Sequence, residues 1–137
     1  MTQSPLSKKL GIKPGYQCLI LSAPDGYIEM LDPLPDGATI RTSRDGKTTY
    51  DLVQDFVKSK AEVDAKAQPA IDAVKQKGLL WLTYPKKTSK IKTDIHRDVG
   101  WEAVYDAGWE GVSLISVDDT WSAMRYRPHE EIKARQK

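Results

Sequence analysis

Apolar residues fall along the chain in two patterns, short unbroken runs and runs with helical spacing. The first unbroken run, at residues 18–21, predicts a strand over 17–22 that is covered on both faces, as parallel strands are. Further strands are predicted at 38–42, 51–56 and 79–84, and the last of these is the most apolar. Two runs on either side of the turn DDT, GVSLISV and WSAMRYR, predict a β-hairpin near the end of the chain.

Helix signals lie on both sides of the first predicted strand. Ser4 as N-cap, Pro5 at the first helical position and Gly11 as the stop predict a short first helix. Asp25 is expected to cap a second short helix over 27–31. The first strand therefore runs from one short helix into another.

The longest helical pattern follows the third predicted strand. Ser59 and Glu62 have the spacing of a capping box, and the apolar stripe behind them predicts a helix that closes at Gly78. One more helix is predicted before the hairpin, with its cap at residues 93–94. Residues 96–98 fall in its first turn and are interpreted as part of an exposed helix face.

Strands that alternate with helices predict an α/β protein with a mainly parallel sheet and right-handed crossovers. The sheet is expected to have about six strands, to end in a C-terminal antiparallel hairpin and to carry helices on both faces. We expect one domain over residues 1–127 and a charged C-terminal tail over 128–137.

Composition excludes several classes of function. The 137 residues carry 21 Lys and Arg against 19 Asp and Glu, a net charge of +2, which is too small to predict nucleic-acid binding. No apolar run approaches the ~20 residues that span a bilayer, and the start of the chain lacks the apolar segment of a secretory signal. Cys18 is the only cysteine, so no internal disulfide or cysteine zinc cluster is possible. We expect a cytoplasmic protein with no membrane partner and no metal.

Three segments resemble the class I S-adenosylmethionine-dependent methyltransferases. LGIKPGYQCLIL is similar to the entry into their first strand, YDLVQDFV to their fourth strand and GLLWLTYPK to their fifth. The likeness spans residues 10–127 and implies a Rossmann-like, methyltransferase-like fold. A closer resemblance, to a group of short bacterial proteins of unknown function, rests on KKLGIKPG, YPKK.S and VDDTWS, and it implies no particular activity.

The cofactor loop of those methyltransferases is altered in this sequence. In that family the first strand ends in an acidic residue and a glycine-rich loop, whereas LILSAPDG has Ser22 and Pro24 in place of glycines and retains Gly26. The second strand ends without an acidic residue, since Asp45 already falls in the following turn. Only SRDGKT separates strands two and three, so a helix and an edge strand of the family are missing. The resemblance therefore implies a degenerate pocket, and no cofactor is expected, with S-adenosylmethionine disfavoured.

Loops at the carboxyl ends of the strands supply candidate ligand residues. Ser22 and Asp25 either form a tight turn, in which Asp25 caps a helix, or line a pocket for a smaller ligand. Asp118 favours a turn conformation in the hairpin, and no acidic or histidine partner has the spacing of a metal site. Trp121 is expected to be exposed and to share a cleft with Tyr84.

The segment YPKKTSKIKTD concentrates positive charge after the most apolar strand. Tyr84, Lys86, Lys87 and Ser89 are ligand candidates here, because lysines, hydroxyls and the amides of the expected helix suit a phosphate or another anion. The alternative is a solvated basic loop. Nucleic acid is disfavoured, since the segment lacks interleaved aromatic residues.

These observations favour a non-catalytic binding or interaction domain with an anion, a phosphate or a protein as its partner. The alternative is an S-adenosylmethionine-dependent methyltransferase with an unconventional cofactor pocket. A third possibility is a structural subunit whose tryptophans form the interface of a homodimer.

Overall fold

A computed structural model describes residues 3–96 and 99–129 of the chain. Six strands form one sheet in the order β2-β1-β3-β4-β6-β5. The strands are β1 (Gln17–Leu21), β2 (Thr39–Arg41), β3 (Tyr50–Phe56), β4 (Val74–Pro85), β5 (Trp109–Ser116) and β6 (Trp121–Pro128). The helices are α1 (Pro5–Leu10), α2 (Tyr27–Met30), α3 (Lys60–Ala73) and α4 (Glu102–Asp106).

The sheet confirms the predicted α/β class. Strands β2, β1, β3 and β4 are parallel, while β6 runs antiparallel to both β4 and β5. The last two strands are the predicted hairpin. Since the parallel strands end at the same edge, the loops after β1, β2, β3 and β4 gather there.

Two apolar clusters cover the two faces of the sheet. Leu10 of α1 and Tyr27 of α2 pack with Leu52 of β3 on one face. On the other face, Val63 of α3 and Val104 of α4 pack in a second cluster with the adjacent strand residues. Because side chains alternate along a strand, each central strand contributes to both clusters. Helices on both faces are therefore confirmed.

The first helix begins and ends as predicted. The Ser4 hydroxyl accepts a hydrogen bond of 3.2 Å from the backbone N–H of Ser7, and Gly11 follows the helix in the left-handed conformation with φ of 85°. The start of α3 is also confirmed, since the Ser59 hydroxyl accepts from the N–H of Glu62 at 3.2 Å. Both caps are local devices that the sequence alone predicts.

The predicted end of α3 is wrong. The helix ends at Ala73, Val74 is already extended, and Gly78 lies inside β4. A Cβ atom at Gly78 would lie 2.8 Å from Cγ2 of Val74 and 3.0 Å from the carbonyl oxygen of Asp51. This glycine is therefore required by close packing inside the sheet and is not a helix stop.

The helix predicted to begin at residues 93–94 is much shorter and begins later. Only Glu102–Asp106 is helical, and His96 instead makes an isolated antiparallel bridge with Val99. Asp94 accepts a hydrogen bond of 2.8 Å from the backbone N–H of Lys60, at the start of α3. Residues 97 and 98 lie outside the described residues, as do residues 130–137 of the tail predicted over 128–137.

The described part of the chain contains no helix with the length and hydropathy of a membrane span.

Candidate functional site

The junction between β1 and α2 lies at the carboxyl edge of the sheet and encloses a cavity of about 330 Å³. Ser22, directly after β1, has φ of 62°, a left-handed conformation that favours glycine. Gly26 has φ of 85°, and a Cβ atom there would have no heavy atom within 4 Å. The chain therefore forms an open strand-to-helix turn, although two of the family's glycines are replaced.

Asp25 does not cap α2, which corrects the sequence prediction. Gly26 occupies the N-cap position of this helix, and no side chain accepts a hydrogen bond from its first turn. Asp25 instead lines the cavity together with Glu29 of α2 and Thr42, the residue after β2. Its carboxylate is exposed at the junction.

Lys66 of α3 reaches back to this junction from the other face of the sheet. Its Nζ donates to Oγ of Ser22 at 3.1 Å, to the carbonyl oxygen of Phe56 at 3.2 Å and to Oε1 of Glu62 at 3.1 Å. The ammonium group thereby joins the loop after β1 to the end of β3. Ser22 therefore both lines the cavity and accepts a hydrogen bond from Lys66.

Asp55 is the functional candidate that the sequence analysis missed. It lies in β3 opposite Leu21 of β1, its side chain is 3% exposed, and its Oδ1 makes no hydrogen bond in the structure. Burial raises the pKa of this carboxyl group to about 6, while the charge of Lys66 and the hydroxyl of Ser22 act in the opposite direction. The sequence did contain a signal for this residue, because Asp55 is an aspartate near the carboxyl end of a largely apolar predicted strand.

We name Ser22, Asp55, Glu62 and Lys66 the edge cluster. It contains one cation and two carboxylates, of which Asp55 is the buried member. A buried carboxyl oxygen without a partner is unusual in folded proteins, and such groups concentrate at functional sites.

A buried hydrogen-bond chain holds α2 against the central strands. The Tyr27 hydroxyl donates to Oε1 of Gln54 at 2.8 Å, and Nε2 of Gln54 donates to Oγ1 of Thr83 at 2.8 Å. Burial is the main reason that the pKa of Tyr27 is raised. Because Tyr27 is the first residue of α2, this chain fixes one wall of the cavity.

The basic loop after β4 is built by local contacts. Lys86 donates from Nζ to Oγ of Ser116 at 2.6 Å, and the Ser89 hydroxyl donates to the carbonyl oxygen of Lys86 at 2.7 Å. Lys87 is exposed, and with Ser89 it borders a second cavity of about 660 Å³. No helix begins at residues 93–94, so the helix amides that we expected to support an anion are missing.

Tyr84 and Trp121 do not share a cleft, contrary to our expectation. They are 4% and 5% exposed, and they belong to the apolar clusters on opposite faces of the sheet. Tyr84 contacts Trp101 edge-on with ring centroids 5.2 Å apart, and Trp121 contacts Phe56 at 5.0 Å. Both side chains are core residues.

Asp118 has the turn role that the sequence indicates. Its Oδ1 accepts hydrogen bonds of 2.8 Å from the backbone N–H groups of both Thr120 and Trp121. Cys18 is buried as predicted, and burial raises the pKa of its thiol to about 12. Within residues 3–96 and 99–129, no three His, Cys, Asp or Glu side chains are grouped so that they could hold a metal ion.

No protein-family model and no curated sequence matches this chain. Among solved structures, a DhpI–SAH complex matches with a TM-score of 0.62 at 13% identity, covering 91% of this chain and 82% of that one. A DhpI–SAM–HEP complex matches with a TM-score of 0.57 at 14% identity and coverages of 90% and 85%. A TehB-like SAM-dependent methyltransferase from Corynebacterium glutamicum matches with a TM-score of 0.55 at 10% identity and coverages of 91% and 86%. These likenesses show a methyltransferase-like Rossmann fold.

The comparisons overturn the expectation of a non-catalytic binding domain without a cofactor. Two of these neighbours are complexes with SAH or SAM, that is, S-adenosylhomocysteine or S-adenosylmethionine, and the third is named as a SAM-dependent enzyme. They favour the methyltransferase alternative. That expectation rested on the replaced glycines, on the missing acidic residue after β2 and on the missing helix and edge strand. In the structure Ser22 nevertheless adopts the left-handed conformation, and a cavity remains at the junction.

Proposed function

We propose that this protein is an S-adenosylmethionine-dependent methyltransferase that holds its cofactor at the junction between β1 and α2. The observation that carries the proposal is the open cavity at this junction, at the carboxyl edge of a methyltransferase-like sheet. Ligands of open α/β sheets bind in such crevices beyond the carboxyl ends of the strands.

The side chains around the cavity fit the nucleoside part of this cofactor. Asp25 and Glu29 place carboxylates at its wall, and carboxylates accept hydrogen bonds from ribose hydroxyls. Ile20 and Ile28 add apolar surface, which suits the faces of an adenine ring. In this proposal α2 supplies the acidic group that is missing at the end of β2.

The edge cluster fits the amino-acid part of the cofactor. The ammonium of Lys66 and the carboxylate of Asp55 have opposite charges next to Ser22, and they match the carboxylate and the ammonium of an amino acid. In this proposal the negative charge of the buried Asp55 attracts the ammonium of the bound group. When bound, the cofactor supplies an electrophilic methyl group on a positively charged sulfur.

A pair of glycine variants tests the cofactor site by calorimetric titration with S-adenosylhomocysteine. Gly26 and Gly46 both have positive φ, and a Cβ atom at either would have nothing within 4 Å, but only Gly26 lines the cavity. Gly26→Val and Gly46→Val therefore both place a side chain at a positive φ, of 85° and 56°, but at different places in the chain. We expect Gly26→Val to weaken binding at least about tenfold, and Gly46→Val to bind like the wild type.

Glu29→Ala is a second variant at an exposed position, and we expect it to weaken binding about tenfold. Adenosine and inorganic phosphate serve as comparison ligands in the same titrations. No saturable binding of S-adenosylhomocysteine to the wild type, or equal binding by both glycine variants, would reject the proposed site.

Several expectations from the sequence stay predictions, among them the domain bounds and the partners. A close kinship with the group of short bacterial proteins, a cytoplasmic location and ligand binding by the basic loop also belong to this group. In the present proposal, Lys86, Lys87 and Ser89 face the methyl acceptor, because their loop follows β4 at the same edge as the cavity.

A further inference from the structure

Strand β5 forms one edge of the sheet, and its protection is limited to Glu110 near its start and to a bulge between Gly111 and Ser113. It has eight residues, WEGVSLIS, without proline, lysine or arginine. The opposite edge strand, β2, has only three residues and ends with Arg41. Exposed edge strands are usually short, charged or interrupted by proline, because their free N–H and C=O groups otherwise pair with another chain.

Apolar side chains stand exposed beside this edge. Val112 and Leu114 of β5 are 40% and 42% exposed, and Tyr105 of α4 is 59% exposed. They border a groove of about 710 Å³ whose lining also includes Trp101 and Trp109. Grouped exposed apolar residues of this kind mark contact surfaces more often than isolated ones do.

We propose that β5 pairs antiparallel with β5 of a second copy of this chain, so that the two sheets become continuous. A twofold axis perpendicular to the sheet keeps corresponding faces on the same side. The two grooves then meet, and Tyr105, Val112 and Leu114 of each copy cover those of the other. This inference does not depend on the proposed function.

The distribution of charge on β5 suits a second copy. Glu110 is its only ionisable residue, lies at its start and has a partner in its own chain, since Oε1 is 3.5 Å from Nδ1 of His129. In an antiparallel pair the two glutamates lie at opposite ends of the interface, so like charges do not meet. The bulge between Gly111 and Ser113 confines regular pairing to the second half of the strand.

Sedimentation velocity over a range of about 1 to 100 μM tests this interface with a matched pair of variants. Leu114→Lys places a charge on the edge, while Met30→Lys makes the same kind of change on α2 at a residue that is 43% exposed. We expect the wild type to reach twice the chain mass of 15.4 kDa. Leu114→Lys should weaken the dimer at least about 100-fold, and Met30→Lys should change it less than about twofold.

Hydrogen exchange tells whether β5 itself is the interface. Amides of β5 should exchange more slowly at the high concentration than at the low one in the wild type, and not in Leu114→Lys. Circular dichroism checks that both variants are folded. A wild type that stays monomeric over the whole range, a dimer that both variants weaken equally, or a dimer without added protection in β5 would overturn the proposal.

Discussion

At the scale of single residues, Asp55 shows how burial changes the chemistry of a carboxyl group. In β3 it lies among core residues, yet Lys66 and Ser22 reach it from two other elements. The same burial that raises its pKa disfavours its charged form, so the folded protein is destabilised when Asp55 ionises. Residues that are unfavourable for stability in this way are often retained for function.

Asp55→Asn should remove the unfavourable charge of this buried carboxyl group. The folded carboxyl group has a pKa of about 6 against an ordinary value of 3.8, so the folded state binds the proton more tightly. Stability from this group is therefore fully present below the unfolded pKa and is lost as the pH rises toward 6. We expect the variant to be more stable at pH 7.5 by about 2 kcal/mol, and nearly unchanged at pH 4.

Urea unfolding at both pH values measures this effect, with Asp25→Asn as the control at an exposed carboxylate of the same edge. Asp55→Asn should also bind S-adenosylhomocysteine at least about tenfold more weakly than the wild type, because the amide cannot supply the negative charge. A variant that is less stable at pH 7.5, or that binds as tightly as the wild type, would contradict the role given to Asp55.

At the scale of elements, the junction between α3 and β4 is decided by contacts that are distant in sequence. Val74 pairs with Tyr50 of β3, and this pairing draws the chain into the sheet directly after Ala73. Gly78 then passes close to the carbonyl oxygen of Asp51. A glycine after a helical pattern is ordinarily a stop signal, but here the sheet uses it for close approach.

Gly78→Ala should destabilise the folded protein by crowding the backbone. The new methyl group would meet Cγ2 of Val74 at 2.8 Å and the carbonyl oxygen of Lys75 at 2.9 Å, and a backbone oxygen cannot move aside freely. We expect a loss of about 2 kcal/mol in the free energy of unfolding, measured in urea. Gly111→Ala is the comparison, because its nearest contact is the flexible Met124 side chain, and it should cost less. Equal losses would argue against backbone crowding at Gly78.

At the scale of the whole molecule, the two faces of the sheet contribute different parts of the candidate site. The face with α1 and α2 carries the wall of the cavity, and the face with α3 supplies Lys66 to the same edge. The cavity and the edge cluster meet at Ser22, so a ligand that uses both would tie the two faces together. The free edge of β5 lies at the other end of the sheet from β1 and β2.

We expect ligand binding to raise the free energy of unfolding of the whole domain. If S-adenosylhomocysteine binds the folded chain alone, about 100 times its dissociation constant should add about 2.7 kcal/mol to the free energy of unfolding. For a domain of this size the midpoint of thermal unfolding rises by several degrees. Adenosine should raise the midpoint of thermal unfolding by less, since it lacks the amino-acid group. An equal rise with both ligands would show that the edge cluster takes no part in binding.

Local patterns in the sequence predict the order of strands and helices, the caps at Ser4 and Ser59, and the closing hairpin. These features depend on periodicity and on hydrogen bonds between residues close together in the chain. Local signals also placed Asp118 in its turn, because its partners are two and three residues away. The fold class followed from the alternation of elements.

The packed fold, in contrast, sets the end of α3, the non-helical conformation of residues 93–96 and the burial of Tyr84 and Trp121 on opposite faces. It also decided that Ser22 adopts a left-handed conformation and that Asp55 faces Lys66. Each of these outcomes depends on groups that are far apart in sequence and meet only when strands and helices pack. Burial and approach across the sheet, which no local pattern contains, therefore produced the candidate site.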